Sequence, residues 1–142
     1  MKKLSFETYN QKFRPNRTAS DWLCADEEEL DHYCADPLCR KHISSGLFYE
    51  LLCAMKRTGE AGAYRGWRKA MPVLLLSGGD DPVGSFGKGV QQVHAAMHAA
   101  GLTNAKLQLF AGARHDVLHE ENTGIAMQAR ALLADWILET VG

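Results

Sequence analysis

Two short loops carry the residues of this sequence that are best suited to acid–base chemistry. Asp80 and Asp81 follow the apolar run 71–77, and His115 follows the apolar run 105–110. A carboxylate and an imidazole that face one another can form the acid–base pair of a nucleophilic triad. The carboxylate fixes the tautomer of the imidazole, and the imidazole takes the proton of a serine hydroxyl. The order of the residues, acid before histidine, therefore predicts two members of such a triad.

The third member, a nucleophilic serine in a G-x-S-x-G turn, is not found in the sequence. Ser77 and Ser85 are the serines near the acids, and neither stands in a nucleophile-elbow context, so we interpret both as structural. An Asp-Pro pair after a strand is by itself an ordinary turn, and a lone histidine in a loop is ordinarily structural. The triad interpretation rests on the combination of the two loops.

These loops resemble the acid and histidine loops of α/β-hydrolases, in the group of lysophospholipases, monoacylglycerol lipases and serine aminopeptidases. The segment Gly-Gly-Asp-Asp-Pro-Val-Gly, residues 78–84, is similar to the acid turn, in which the catalytic carboxylate directly precedes the proline. The resemblance therefore implies Asp81 as the acid. Residues 112–120 are similar to the histidine loop and imply His115 as the base, with Asp116 where the family usually has Glu.

The N-terminal part resembles the helical cap of bacterial members of this group, at residues 9–13, 17–23 and 33–39. The resemblance thus covers nearly the whole chain. A full member carries the first strands, the oxyanion-hole loop and the nucleophile elbow before its cap. The resemblance therefore implies an α/β chain that is the C-terminal part of an α/β-hydrolase fold, preceded by a helical cap, with the N-terminal half of the fold missing.

The periodicity of apolar residues divides the chain into two expected parts. Residues 1–70 form the expected cap region, with acids in the first turn of a helix after Asp26, an amphipathic helix over 46–57 and a linker over 58–66. Residues 71–142 form the expected β-α-β-α part of the hydrolase core. Its predicted elements are strands 73–77 and 105–110 and helices 87–100 and 122–140.

The first predicted strand, 73–77, is a continuous apolar run, which is typical of parallel sheets. A β-α-β connection of this length favours adjacent parallel strands, and ligand sites in such sheets lie at the carboxyl ends of the strands. Asp81 and His115 both follow such ends. The predicted apolar stripes of the two helices are Val90, Val93 and Met97, and Ile125, Leu132, Leu133, Trp136 and Ile137.

Composition narrows the classes of partner. The 142 residues carry a formal net charge of −1 with no basic stripe, so no nucleic acid is expected as a partner. No signal peptide and no apolar run long enough to span a bilayer is visible. We therefore expect a cytoplasmic protein without a transmembrane segment, with the four cysteines reduced. No cofactor and no metal is expected.

Two histidine patterns have metal-site alternatives that we do not favour. Residues 115–119 resemble a degraded zinc-protease motif, but Asp116 is shorter than the required Glu and the segment follows a loop. Cys34, Cys39 and His42, with Cys24 or His32, contain zinc-ligand types at irregular spacing, and buried thiols usually serve as core residues.

Other side chains have an ordinary interpretation beside a functional one. His94 and His98 share a helix face, which we interpret as a solvated face. Four aromatic residues either line an acyl or aromatic pocket or, as we prefer, form the core of the cap: Trp22, Phe48, Tyr49 and Trp67.

Two hypotheses for function follow. In the first, the chain is part of a serine hydrolase that acts on a small apolar ester or acyl substrate, with Asp81 orienting His115 as general base for a serine that the chain lacks. In the second, the chain is a non-catalytic remnant or binding module. Its exposed sheet edge would then self-associate or pair with a separate N-terminal half.

Overall fold

The computed structural model describes residues 8–39, 44–60 and 62–142. A 3-10 helix at Gln11–Phe13 is followed by two helices and then by an alternation of strands and helices. The elements are α1 (Glu27–Ala35), α2 (Ser45–Gly59), β1 (Val73–Gly78), α3 (Lys88–Ala99), β2 (Ala105–Phe110) and α4 (Ile125–Val141). The predicted helix–strand order is confirmed, with boundaries that differ by up to three residues. Among the described helices, none is both long and apolar enough to cross a bilayer.

The two strands form a parallel pair, as the sequence predicts. Val73 lies opposite Ala105, and Gly78 lies opposite Phe110. Since parallel strands need a crossover connection, α3 lies between them in the chain and contacts both. The carboxyl ends of β1 and β2 are therefore in register, and the two loops that follow them begin side by side.

Among the described residues, two clusters of the core lie beside the strands, and one of them includes the histidine loop. The first joins Tyr64, Met97 of α3, Leu102 and Ala105 of β2. The second joins Phe110 at the end of β2 to Ala113, Val117 and Ala129 of α4. Because Ala113 and Val117 flank His115 and are buried, the loop that carries His115 is anchored on both sides.

Helix α4 packs through its small residues rather than through its whole predicted stripe. Ala126 and Ala129 are its buried residues. Of the predicted stripe, Ile125 packs against the second core cluster, whereas Ile137 is 43% exposed. The predicted start at Asn122 is also early, because Gly124, with a φ of 73°, precedes the first helical turn.

Apolar side chains of the other elements are only partly covered. Residues 73–77 of β1 are all half-buried, although the run is as apolar as a fully buried parallel strand. Helix α2 is amphipathic as predicted, but its stripe is exposed, with Leu47 61%, Leu51 49% and Met55 54% exposed. Both β1 and α2 therefore have an apolar face that the other described residues only partly cover.

Candidate active site

The acid turn brings Asp81 back over the end of β1. The Oδ1 atom of Asp81 accepts a hydrogen bond from the backbone N–H of Val83 at 2.8 Å, and its carbonyl accepts one from Phe86 N–H at 2.7 Å. Pro82 has no N–H to satisfy and a fixed φ, which suits this turn. The side chain of Asp81 is 8% exposed. The carboxylate is therefore held in one direction, with its Oδ2 atom left for a further partner.

Backbone hydrogen bonds join the acid turn to the histidine loop. Gly79 N–H donates to the carbonyl of Phe110 at 2.7 Å, and Asp80 N–H donates to that of Ala113 at 2.9 Å. Gly78 is packed so closely that a Cβ built on it would overlap the carbonyl oxygens of Ala113 and Arg114. Only a glycine permits this approach, so residue 78 sets the separation of the two loops.

His115 meets Asp81 across this junction. Its Nδ1 atom lies 3.0 Å from Asp81 Oδ2, and its side chain is 42% exposed. The hydrogen bond to Asp81 raises the pKa of His115 above its ordinary value, although partial burial acts in the opposite direction. With Nδ1–H donated to the carboxylate, the neutral ring has its lone pair on Nε2. This geometry makes His115 Nε2 suited to accept a proton.

The N-terminal segment covers the histidine. The ring of Trp22 lies 5.4 Å from that of His115, centroid to centroid, and 5.5 Å from that of Tyr9. Arg114 donates from Nη1 to the carbonyls of Asp21 and, at 3.0 Å, of Cys24. Residues 21–24 are therefore fixed beside the imidazole by the residue that precedes it.

Glu120 is a buried residue that connects the N-terminal segment to the histidine loop. The sequence did not predict this role. Its side chain is fully buried, and Oε1 accepts hydrogen bonds from the N–H groups of Arg114 at 2.7 Å and Ala25 at 3.1 Å. Its Oε2 atom has no hydrogen-bond partner in the described structure. Burial raises the pKa of Glu120, partly offset by the two backbone donors. A glutamate between two polar residues gives no sequence signal for this role.

Asp26 adds a second connection. It caps α1 by accepting from Glu28 N–H at 3.1 Å, and the acids that follow it lie in the first turn of the helix, as predicted. It also accepts from Asn122 N–H at 2.6 Å and from the Asn122 side-chain amide at 2.9 Å. These hydrogen bonds lower the pKa of Asp26, the backbone N–H of Asn122 having the largest effect.

The two serines near the acid have different surroundings. Ser77 Oγ donates to the carbonyl of Gly78 at 3.4 Å, and a Cβ built on Gly84 would lie 3.4 Å from both Ser77 Oγ and Asp81 Oδ2. Ser85 is in a left-handed conformation with a φ of 54°, followed by Phe86 at 56°. Such residues carry backbone strain, and here they turn the chain from the acid turn into α3.

The zinc alternatives find no support among the described residues. His115 and His119 bind different acids, because His119 Nδ1 lies 2.8 Å from Asp116 Oδ1, and residues 115–119 are not helical. No group of three or more metal-ligating side chains is found in the described ranges. Cys24 is buried and Cys39 is exposed, whereas His42 lies outside the described residues.

None of the four cysteines forms a disulfide. Burial raises the pKa of the Cys24 thiol to about 11.

The four aromatic residues of the expected cap core have different environments, and Phe48 of α2 is half-buried. Trp22 is buried beside His115. Trp67 is 40% exposed and meets Tyr64 edge to face at 5.4 Å. Tyr49 is 65% exposed, so the prediction that it belongs to a cap core is wrong for the described residues.

Comparisons with known proteins identify the family and the fold of the chain. The sequence pattern of the family described as serine aminopeptidase, S33, matches residues 1–122. Among solved structures, the chain is similar to a highly thermostable carboxyl esterase from Bacillus coagulans in complex with glycerol, with a TM-score of 0.86 at 17% identity over 99% of this chain and 45% of that one. It is also similar to a lipase in its open form, with a TM-score of 0.71 at 20% identity over 92% of this chain and 43% of that one. No curated protein sequence matches the chain.

The two solved structures establish the fold, and the family pattern establishes the membership. The chain spans less than half the length of either solved structure. Its parallel strand pair, its flanking helices and the two loops at the carboxyl ends of the strands correspond to part of an α/β-hydrolase. The chain therefore belongs to the serine aminopeptidase, S33, family of α/β-hydrolases.

Proposed function

We propose that Asp81 and His115 are the acid and the base of a serine hydrolase that cleaves carboxylic esters of small apolar substrates, as lysophospholipases and monoacylglycerol lipases do. The observation that carries this proposal is the 3.0 Å contact between His115 Nδ1 and a buried Asp81 carboxylate. Esters are preferred over peptides because the similar solved structures are a carboxyl esterase and a lipase.

In this proposal the two residues have different roles in the reaction. Asp81 holds Nδ1–H of His115 and stabilises the imidazolium that forms in the reaction. His115 Nε2 takes the proton from a serine hydroxyl and later gives it to the leaving alcohol. Because no G-x-S-x-G turn occurs here, that serine and the oxyanion hole come from outside this sequence.

Binding of a further polypeptide is the second candidate. It is favoured by β1, whose five apolar or small residues at 73–77 are only half-buried and which pairs with β2 alone in the described sheet. A separate N-terminal half that adds a strand beside β1 would cover this run. The two candidates are compatible, because such a half would also supply the nucleophile.

The test uses a chromogenic short-chain ester and a fluorophosphonate probe, which labels activated serines. We expect neither turnover nor labelling with the purified chain, and both when it is co-expressed with a polypeptide that supplies the nucleophile elbow and the strand beside β1. His115→Ala should then abolish turnover. His119→Ala is the matched control, since His119 is an exposed histidine of the same loop.

Two results would contradict the proposal. Labelling of the isolated chain that is lost in His115→Ala would mean that a serine of this sequence is the nucleophile. Turnover by the combined enzyme that is unchanged in His115→Ala would remove His115 from the chemistry.

A further inference from the structure

Two histidines of α3 and one carbonyl of β2 form a tight triangle of ligand atoms. His94 Nε2 lies 3.2 Å from His98 Nε2. The carbonyl oxygen of Ala105 lies 2.9 Å from His94 Nε2 and 3.1 Å from His98 Nε2. The two rings are 4.5 Å apart and nearly perpendicular. The spacing of four residues on a helix places the rings on one face, and the sheet brings the carbonyl to them.

Hydrogen bonds cannot satisfy all three contacts of this triangle. The carbonyl oxygen has lone pairs and no proton, and a neutral imidazole carries a proton on only one of its nitrogens. If both Nε2 atoms donate to Ala105, the two N–H groups oppose one another. If one Nε2 accepts from the other, its lone pair faces the carbonyl oxygen. At least one contact is therefore unfavourable without a cation between the three atoms.

The distances match the edges of a metal coordination shell. An ion about 2.05 Å from both ring nitrogens, the usual zinc–imidazole length, subtends about 100° across their 3.2 Å separation. With the Ala105 oxygen at about 2.1 Å, the nitrogen–metal–oxygen angles are about 90–95°. These angles lie between those of octahedral and tetrahedral sites. We propose that His94, His98 and the Ala105 carbonyl bind a divalent transition metal ion of the zinc class.

The surroundings of the triangle suit a cation. His94 and Ala105 line a groove of about 680 Å³ whose other side includes Asp135 and Glu139 of α4. Asp135 lowers the cost of adding positive charge, whereas the charge of Glu139 is offset by Lys106, which lies 3.5 Å from it in the same groove. The groove is open to solvent, which can supply the remaining ligands. Because Ala105 begins β2 and His115 follows its end, this site is at the other end of the strand from the Asp81–His115 pair.

The experiment titrates Zn²⁺ alone into the full chain labelled with ¹⁵N and ¹³C, and follows the histidine ring nitrogens by NMR. We expect the ring resonances of His94 and His98, and the carbonyl resonance of Ala105, to shift together with one equivalent of Zn²⁺. Loss of an outer-shell partner already costs roughly 10–100-fold in metal affinity, so His98→Ala should weaken binding by at least about tenfold. The double variant His94→Ala/His98→Ala should bind no tighter than His98→Ala.

His98 is exposed, so its removal should leave the fold intact, and circular dichroism checks this. His32→Ala is the matched control, because His32 is an exposed histidine on a different helix and should leave the Zn²⁺ affinity unchanged. Three results would overturn the proposal. They are ring resonances of His94 and His98 that do not move, wild-type affinity in folded His98→Ala, and Zn²⁺ binding that is abolished by alkylation of the cysteines.

Discussion

The environment of a single imidazole decides how it can act. His115 has Asp81 on Nδ1 and the ring of Trp22 beside it, and its side chain is 42% exposed. The carboxylate is buried and held by Val83 N–H, so it cannot follow the imidazole if the imidazole moves. The contact between His115 and Asp81 therefore depends on where the backbone places the two side chains.

Replacing Asp81 by Asn should lower the pKa of His115. The hydrogen bond to Asp81 is the largest cause of the raised pKa, and Asn provides no negative charge. An NMR titration of the His115 ring in the isolated chain measures this change. Asp80→Asn is the control, because Asp80 is exposed and adjacent but is not a partner of the imidazole.

The same pair has a predictable effect on stability. Because folding raises the pKa of His115, the folded chain binds this proton more tightly, and the stabilisation is fully present below the unfolded pKa of about 6.5. It should fade as the pH rises through the higher folded pKa. Urea unfolding at several pH values should show this loss in the wild type and not in Asp81→Asn. An equal pH dependence in both proteins would contradict the assignment.

At the scale of elements, the site depends on two approaches of separate segments of the chain. One is the junction of the acid turn with the histidine loop at Gly78, and the other is the connection of residues 21–26 to residues 114–122 through Glu120, Arg114 and Asp26. Neither approach involves the atoms that would do chemistry. Both determine whether those atoms meet.

Gly78→Ala should separate the loops. The added Cβ would overlap two carbonyl oxygens of the histidine loop, and backbone cannot yield as a flexible side chain does. We expect a loss of stability of about 1–3 kcal/mol, as for overpacking of a core, and a pKa of His115 closer to its ordinary value. Gly66→Ala is the control, since a Cβ there meets nothing within 4 Å. Wild-type stability and an unchanged pKa of His115 in Gly78→Ala would refute this role.

Glu120→Ala should loosen the histidine loop from the N-terminal segment. It removes the acceptor for Ala25 and Arg114, and a buried donor without a partner costs about 1–3 kcal/mol. Chemical denaturation measures the loss of stability. Glu121→Ala is the control, because Glu121 is the next residue and pairs with Arg130 at the surface. Equal stabilities of the two variants would show that Glu120 does not hold these segments together.

The same elements show how far the sequence could be used to predict the structure. The meeting of Asp81 with His115 could be predicted, because each follows a strand and parallel neighbours end at one edge. The connection of Glu120 to Ala25 could not, since its partners are backbone groups 95 and 6 residues away in the sequence. The exposure of Tyr49 also differs from the prediction, because the sequence identifies an aromatic residue and not what covers it.

For the whole molecule, uncovered apolar surface is the dominant feature. In the described structure β1 pairs with β2 alone, and the apolar stripe of α2 is exposed. Such surfaces promote association of chains. We expect the purified chain to form dimers or larger species whose proportion rises with concentration, as measured by size-exclusion chromatography with light scattering.

A double variant tests whether the exposed stripe of α2 causes this association. Leu47→Glu with Leu51→Glu places charges on the exposed stripe of α2 and leaves the sheet unchanged. Association that persists in this variant would place the contact outside the changed part of the α2 stripe, as the second candidate function requires. A compact monomer for the wild type at all concentrations would contradict the prediction.

The long-range hydrogen bonds around the histidine loop also have a consequence for the order of folding. Residues 21–26 bond to residues 114–122 across sequence separations of 90 to 96 residues, whereas the strands that carry the acid and histidine loops are joined by one short helix. Contacts that close long loops cost more chain entropy and tend to form late. We expect the β1–β2 pair to gain protection from hydrogen exchange early in refolding, and the surroundings of Trp22 to become native only in the last phase. The imidazole would then reach its final position later than the sheet beneath it.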